Sequence, residues 1–244
     1  MSITFDGSDV NSARSKNHVT NDSLGDHSGN IKHGYDYANP IYNGRLESYY
    51  PLDDNNYTIK DRSGYGNHGS AVSISLNGEN FLENGVCSFS SGYVDVNSNT
   101  HIKATNKDRI SFGFWFKPND QSSKQTLIDL KDEYSIIYNR NGGQDINFDA
   151  YGDNLSLGVN LSSGVWHHVF ISWYVGIYIT GWVNGNEKVS TENVYGNQTD
   201  NGEPLRIGAA KPQDSFFDGS MADLRIYSDY FSNGEVNTIE NVPQ

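Results

Sequence analysis

The densest hydrophobic stretch of the chain runs from Val165 to Gly185, within a sequence otherwise rich in Asn, Asp, Ser and Gly. Its pattern predicts two long antiparallel strands, at 166–174 and 177–183. Along the second strand the residues fall on two faces: Ile177, Ile179 and Val183 on one, Tyr178, Thr180 and Trp182 on the other. Side chains two positions apart share a face of a strand. We therefore predict an aliphatic face in the core and an opposite face with two large aromatic rings.

Turn chemistry extends this hairpin. Asn184-Gly185 follows the second strand directly, and Asn-Gly between strands is a strong hairpin signal because both residues tolerate positive φ. The aromatic stretch 110–117 also alternates, with Ile110 and three Phe residues on one face, and Pro118 ends it.

The same alternation between polar clusters predicts many further short strands. They are expected at 46–52, 72–76, 86–89, 93–96, 126–130, 134–138, 146–151, 155–159, 205–208 and 221–227. Near the end, Ser232-Asn-Gly-Glu235 has the spacing of a helix capping box, which predicts a short helix with Val236 and Ile239 facing inward. The fold class predicted is all-β, a two-sheet antiparallel sandwich of the jelly-roll type with one short C-terminal helix.

Residues 1–44 differ from the rest in composition. They are poor in aliphatic side chains and rich in Ser, Asn, Asp, His and Gly, so they bury too little apolar surface to offset the entropy of ordering. We expect an extended N-terminal arm at 1–44 that orders against a partner, followed by the sandwich domain at 45–244.

Charge and cysteine content narrow the classes of function. The formal net charge of −13 opposes nucleic-acid binding, which needs clustered Lys and Arg. The single cysteine, Cys87, allows no intrachain disulfide, and we expect an inert buried thiol. The N-terminus lacks the basic and apolar regions of a signal peptide, and no apolar run is long enough to span a bilayer.

The order of short motifs resembles the laminin-G-like domain of the concanavalin A-like lectin and glucanase superfamily. The matching landmarks are Tyr50-Pro-Leu52, Asp61-Arg-Ser-Gly64, Asn67-His-Gly69, the strand 110–118, Trp166-His-His-Val169, Trp182-Val-Asn-Gly185, Leu205-Arg-Ile-Gly208, Phe217-Asp-Gly219 and Asp223-Leu-Arg-Ile-Tyr227. The resemblance spans about residues 45–240. It implies an extracellular or virion-surface location.

One fold of this kind hosts lectins, adhesion modules, structural domains and glycosidases. The glucanase branch carries Glu-x-Asp-x-Glu on one strand, which this sequence lacks. The acids between Asp129 and Glu133 have a different spacing and are expected in a solvated turn. Adjacent strand residues His167 and His168 point to opposite faces, so we assign them to the fold and expect no catalytic residues.

Side-chain chemistry indicates where a glycan is expected, and the resemblance indicates where calcium is expected. A glycan site needs an aromatic face and planar amides or carboxylates. The candidates are Tyr138, Asn139, Tyr151, Asp153, Tyr178 and Trp182, with burial of Trp182 beneath a strand or arm as the alternative. For calcium, which prefers oxygen ligands, the candidates are Asp61 and Asp223, although Ala222 stands where relatives often have another acid.

The function predicted is a non-enzymatic binding or attachment module, a structural component of a virion or surface assembly that also contacts host glycans. A free-standing carbohydrate-binding lectin is the alternative, and a glycoside hydrolase or lyase is the third hypothesis. The expected partners are assembly subunits bound through residues 1–44, further copies of the chain in a homo-oligomer, and a host surface glycan, with no nucleic acid and no membrane insertion.

Overall fold

The computed structural model describes residues 45–239 with gaps at 77, 82–83, 106, 152, 193–201 and 213. Within it, the side chains at 80, 84, 153, 190–192 and 237–239 are not described. The arm predicted at 1–44 lies outside the described residues.

Seventeen strands and one helix follow one another along the described chain. They are β1 Leu46–Tyr50, β2 Thr58–Ile59, β3 Gly69–Val72, β4 Asn80–Phe81, β5 Asn84–Gly85, β6 Cys87–Phe89, β7 Tyr93–Val96, β8 Arg109–Pro118, β9 Gln125–Leu130, β10 Tyr134–Tyr138, β11 Ile146–Ala150, β12 Asp153–Ser156, β13 His167–Tyr174, β14 Tyr178–Val183, β15 Asn186–Glu192, β16 Leu205–Ile207, β17 Gly219–Tyr227 and helix α1 Asn233–Ile239.

Two antiparallel sheets contain all but the small hairpin β4–β5. The seven-stranded sheet has the order β1-β17-β8-β13-β14-β15, with β6 also paired to β17. The eight-stranded sheet has the order β12-β11-β10-β9-β16-β7-β3-β2. The predicted all-β sandwich is confirmed.

Aromatic rings join the two sheets. Phe112, Phe114 and Phe116 of β8 are fully buried. The ring centroid of Phe112 lies 4.7 Å from that of Tyr134 in β10, and the centroid of Phe116 lies 5.6 Å from that of Tyr138. The alternation read from the sequence thus fills the core with large rings, whose contact area dominates burial energetics.

The central hairpin forms almost as predicted, and β15 follows the Asn184-Gly185 turn. Ile179 and Val183 lie in the core, but the prediction for Ile177 is wrong because it sits in the turn between β13 and β14, where it is exposed. For Trp182 the alternative of burial is confirmed, although the cover is the C-terminal segment and not a strand or the arm. Trp182 is 1% exposed.

The C-terminal segment covers Trp182. Its indole packs in a second apolar cluster with Phe170, Tyr227, Phe231 and Val236. The indole Nε1 donates a 2.9 Å hydrogen bond to Oδ1 of Asn233, at the start of α1. A strand and a helix therefore share this aromatic cluster on the outer face of the seven-stranded sheet.

The predicted helix is present and begins as its sequence indicates. The backbone amide of Ser232 donates to Oε2 of Glu235 at 2.9 Å, and the Ser232 hydroxyl donates to the same oxygen at 2.8 Å. Val236 faces inward as expected, while the side chain of Ile239 lies outside the described ones.

Two predicted strands are displaced. The strand expected at 72–76 is replaced by β3, which ends before Ser73 takes a positive φ of 55°. The strand expected at 155–159 is replaced by β12, which ends before Gly158 with a φ of 64°. In both places a backbone conformation outside the β region stops the ladder.

The acids expected in a solvated turn are buried, so that expectation is wrong. Oδ2 of Asp129 accepts the Lys211 amide at 2.9 Å, and burial raises the pKa of Asp129 to about 6. Oε2 of Glu133 accepts the amides of Ala104 and Thr105 at 2.9 and 3.1 Å. These carboxylates tie loops to the eight-stranded sheet.

Smaller expectations also have clear outcomes. Cys87 is buried, and burial raises the pKa of its thiol to about 12.

His167 faces Phe116 and His168 faces Trp115, on opposite sides of β13 as predicted. The described helix is too short and too polar to cross a membrane.

Replacing Trp182 tests the second apolar cluster. Trp182→Ala removes a fully covered indole and its hydrogen bond to Asn233, so we expect the free energy of unfolding to fall by about 3–5 kcal/mol. Urea denaturation measures this loss. Tyr57→Ala, at a tyrosine that is 63% exposed, is the matched control and should change stability by less than about 0.5 kcal/mol.

Replacing Asp129 tests the burial of its carboxylate. Because the pKa rises from 3.8 to about 6 on folding, ionisation weakens the folded state. This cost is absent below the unfolded pKa and complete above about pH 6. Relative to the native chain, Asp129→Asn should gain up to about 3 kcal/mol between pH 4 and pH 7.

Denaturant melts at both pH values measure this difference, and the exposed Asp214→Asn variant serves as the control. A stability difference that does not change with pH would contradict the account of Asp129.

Candidate functional site

The predicted glycan residues do not come together in one exposed site. Tyr138 and Asn139 are buried, at 0% and 1% exposure. The Tyr138 hydroxyl donates to the Leu161 carbonyl at 3.1 Å, and Asn139 Nδ2 donates to the Gln121 carbonyl at 2.6 Å. Both side chains hold loops in place, so the prediction that they present surface groups to a sugar is corrected.

The other predicted residues of the meander also present no open ring. Tyr151 is half-buried, with its ring 6.0 Å from that of Trp173. Asp153 begins β12, and its side chain is outside the described ones. With Trp182 covered, Tyr178 is the one predicted aromatic residue whose side chain is described and exposed, at 37%.

The predicted calcium residues have structural partners. Each carboxylate oxygen of Asp61 accepts two hydrogen bonds: Oδ1 from the amides of Tyr49 and Ser63, and Oδ2 from the Ser63 hydroxyl and the Asn67 amide, all at 2.9 Å. In the described ranges no three His, Cys, Asp or Glu side chains gather to hold a metal. The calcium expectation stays a prediction.

Asp223 lies on β17, where the ladder to β8 shifts register. Its Oδ1 accepts from Nη2 of Arg225 at 3.0 Å, and its backbone amide donates to the Pro51 carbonyl at 3.0 Å. Asp223 and Asp61 therefore each stabilise a local turn or bulge.

The four bonds to Asp61 fix the glycine-rich loop at 61–69 and with it an exposed aromatic ring. Gly64 and Gly66 have positive φ angles of 99° and 72°, a conformation that favours glycine. Between them, Tyr65 projects from the loop and is 54% exposed. The loop is rigidly bonded at its base while its tip carries an open ring.

Tyr65 stacks against a second ring that is itself held in place. The ring centroids of Tyr65 and His101 are 4.0 Å apart with an interplanar angle of 27°. Nδ1 of His101 lies 2.5 Å from Oε2 of Glu47 and donates to it. One face of Tyr65 is thus backed by the imidazole, and its exposure comes from the remaining surface.

A lysine completes this group. Nζ of Lys107 donates to the His101 carbonyl at 2.8 Å and lies 3.9 Å from Oε2 of Glu47. Burial lowers the pKa of Lys107, while Glu47 and Glu133 oppose that shift. The outcome is a tyrosine platform flanked by an imidazole, a carboxylate and an ammonium group.

The same end of the sandwich carries Tyr178. In the ladder of β8, β13 and β14, Arg109 lies opposite Tyr174, which lies opposite Tyr178. The guanidinium carbon of Arg109 is 4.9 Å from the ring centroid of Tyr174. Nη1 of Arg109 donates to Asp229 at 3.1 Å.

A third aromatic group lies at the opposite end of the same sheet face. Phe81 of the small hairpin packs against Trp166 at 4.5 Å and against Trp115 at 5.3 Å between ring centroids. Lys117 pairs with Glu79 beside them. These rings pack against one another, and their contacts anchor the hairpin β4–β5.

The arrangement at Tyr65 suits hydrogen-bonding ligands with an apolar face. Sugars fit this description because they combine C–H faces with hydroxyls, which stack on rings and bind charged or amide groups. Sequence reasoning singled out the loop for Asp61 and missed Tyr65. The available signal was a tyrosine between two glycines, Gly64-Tyr65-Gly66.

Comparisons with solved structures agree with the fold. Domain 4 of an extracellular GH43 arabinanase from Geobacillus stearothermophilus, in complex with arabinotriose, has a TM-score of 0.62 and 16% identity, covering 81% of this chain and 98% of that one. The binding domain of Paraclostridial Mosquitocidal Protein 1 has a TM-score of 0.66 and 16% identity, covering 82% and 52%.

The receptor-binding domain of the botulinum neurotoxin C/D mosaic serotype has a TM-score of 0.64 and 20% identity, covering 81% of this chain and 51% of that one. The chain therefore spans about half the length of these toxin domains. No curated protein sequence matches it.

A sequence match to a protein family goes further than these structural likenesses. It covers residues 89–237, from the end of β6 into α1, and thus more than half of the chain. The chain belongs to the Laminin G family of the concanavalin A-like lectin/glucanases superfamily.

Proposed function

We propose that this chain is a non-catalytic carbohydrate-binding module whose ligand stacks on Tyr65. The observation that carries the proposal is an exposed tyrosine ring, fixed by the Asp61 loop and backed by His101. A ring that is held before binding loses little conformational entropy when a ligand stacks on it. Glu47 and Lys107 stand beside it to bind hydroxyls.

The structural neighbours support a binding role. One is a domain of an arabinanase solved with arabinotriose, and others are receptor-binding domains of botulinum neurotoxins. For the type C toxin, cell entry depends on interaction with two ganglioside molecules. A sugar is bound in the arabinanase domain and gangliosides are contacted by the type C toxin, and we propose glycan contact for this chain as well.

The acids of this chain favour binding over hydrolysis. Glycoside hydrolysis requires two carboxyl groups that flank the scissile bond and act as acid and as base or nucleophile. Asp129 and Glu133 belong to the acid cluster that comes nearest to the glucanase pattern Glu-x-Asp-x-Glu. Both are buried and accept hydrogen bonds from backbone amides. Their positions suit loop anchoring.

We further propose that the chain acts in a virion or another extracellular surface assembly, with residues 1–44 as the attachment to neighbouring subunits. The support is the composition of this segment, which is too polar to form a core of its own. Tyr65 belongs to the sandwich and not to the arm, so the proposed attachment segment and the proposed glycan site are separate parts of the chain.

Substitution of Tyr65 tests the stacking platform. Tyr65→Ala should weaken binding to the best ligand of a glycan array, arabinotriose and ganglioside glycans included, by about tenfold or more, equivalent to roughly 1.4 kcal/mol. Tyr65→Phe retains the ring and should bind within about threefold of the native chain. Isothermal titration calorimetry measures both.

The matched control is Tyr57→Ala, at another highly exposed tyrosine outside the site. Equal losses in the Tyr65 and Tyr57 variants, or no array ligand at all, would contradict the proposal. Repeating the titration with EDTA tests the calcium expectation, since a calcium-dependent site would lose affinity. Release of reducing sugar from arabinan would instead indicate an enzyme.

Removal of residues 1–44 tests the assembly role. The truncated chain should fold with an unchanged thermal transition, since residues 45–239 contain both sheets and the two apolar clusters, but should no longer enter its native particle. Quantitative immunoblotting of purified particles measures incorporation. Normal incorporation of the truncated chain would rule out attachment through this segment.

A further inference from the structure

We infer that the ligand is an extended glycan chain rather than a terminal sugar, and that it contacts two sites, here called stations. The stations lie on one band of side chains, and Tyr65 is the first of them. The inference rests on the proposed function. The second station is the pair of Tyr174 and Tyr178 with Arg109. Hydrogen bonds, ring contacts and the short segment from Lys107 to Arg109 connect the two stations along one end of the sandwich.

The first half of the band leads from the loop to the start of β8. Tyr65 stacks on His101, His101 donates to Glu47, and Glu47 lies 3.9 Å from Nζ of Lys107. Lys107 stands two residues before Arg109, the first residue of β8. The aromatic platform thus continues into a row of hydrogen-bonding side chains.

The second half leads from β8 to β14. The carbonyl of Asp108 accepts the amide of Val175 at 2.8 Å, which ties this segment to the turn after β13. From there Arg109 lies over the ring of Tyr174 at 4.9 Å, and Tyr174 is the direct cross-strand neighbour of Tyr178. Directly opposed residues have Cβ atoms about 5 Å apart.

The cover on the sheet explains why the second station is open. The segment 229–231 lies over the neighbouring row: Ser111 donates to the Asp229 carbonyl at 2.5 Å, and Phe231 donates its amide to Ser172 at 2.6 Å. The row of Arg109, Tyr174 and Tyr178 lies one step beyond this cover. Its side chains therefore reach the surface, with Tyr178 at 37% exposure.

The dimensions favour a chain of several sugar units. Glu47 lies on β1, and Tyr178 lies on β14, four positions away in the order β1-β17-β8-β13-β14. With neighbouring strands about 4.8 Å apart, β1 beside the first station and β14 at the second are separated by roughly 19 Å across the sheet. A single sugar reaches one station, while an extended glycan contacts both.

Ion pairs hold the charged side chains along the band in place. Asp229 accepts from Arg109 at 3.1 Å and pairs with Nε of Arg45 at 2.9 Å. Glu47 pairs with His101 in the same way at the other station. Paired and held groups keep their geometry on binding and still offer hydrogen bonds to hydroxyls.

The test compares arabinotriose with long linear arabinan, using the native chain, Tyr178→Ala and Tyr65→Ala in calorimetry and affinity electrophoresis. We expect the native chain to bind the polymer at least about tenfold more tightly than the triose, as expected for linked contacts. Tyr178→Ala should lose this gain and bind the triose normally. Tyr65→Ala should weaken binding of both probes.

Controls separate the band from the fold. Tyr178→Phe keeps the ring and should keep the gain, and Tyr57→Ala should behave as the native chain. Equal affinity for triose and polymer, or equal losses of both in Tyr178→Ala, would overturn the two-station inference while the proposed function stands. If neither probe binds and the glycan array is empty, both are overturned.

Discussion

The seven-stranded sheet has two apolar faces to keep from water, and the way each is covered determines where a ligand has access. One face packs on the eight-stranded sheet through the Phe residues of β8. The C-terminal segment and α1 cover the middle of the other through Phe170, Trp182 and Phe231. The row at the sheet's end, where Arg109 and Tyr178 lie, is outside this cover. The location of the band follows from this cover.

Rigidity at the site has a separate origin in one buried carboxylate. Asp61 accepts four hydrogen bonds from β1 and the glycine-rich loop. Because all four donors belong to the protein, the Asp61 carboxylate fixes the base of the loop more firmly than a surface ion pair would. Tyr65 and His101 are therefore held as a stack before any ligand arrives, so that the side chain suspected of binding a metal supports an aromatic platform.

Strand alternation in Ile110–Lys117 and the Asn184-Gly185 turn allowed the sandwich to be predicted from sequence, because both signals are local. Burial of Trp182 was one of two alternatives, but the residues that cover it were not predictable from its own strand, since they lie about fifty positions later in the chain. Asp129 was placed in solvent for the same reason: its partner Lys211 is remote in sequence. Tyr65 was missed because its fixed position depends on the hydrogen bonds of its loop and on stacking against His101, which is remote in sequence.

Stacking of a sugar on Tyr65 is the central claim, and NMR on chain labelled with ¹³C in its tyrosine rings observes it most directly. During titration with the best array glycan, the account predicts ring-current and intermolecular NOE changes at Tyr65, with Tyr57 and the buried Tyr138 unchanged. Contacts that appear at Tyr57 while Tyr65 shows none would contradict it.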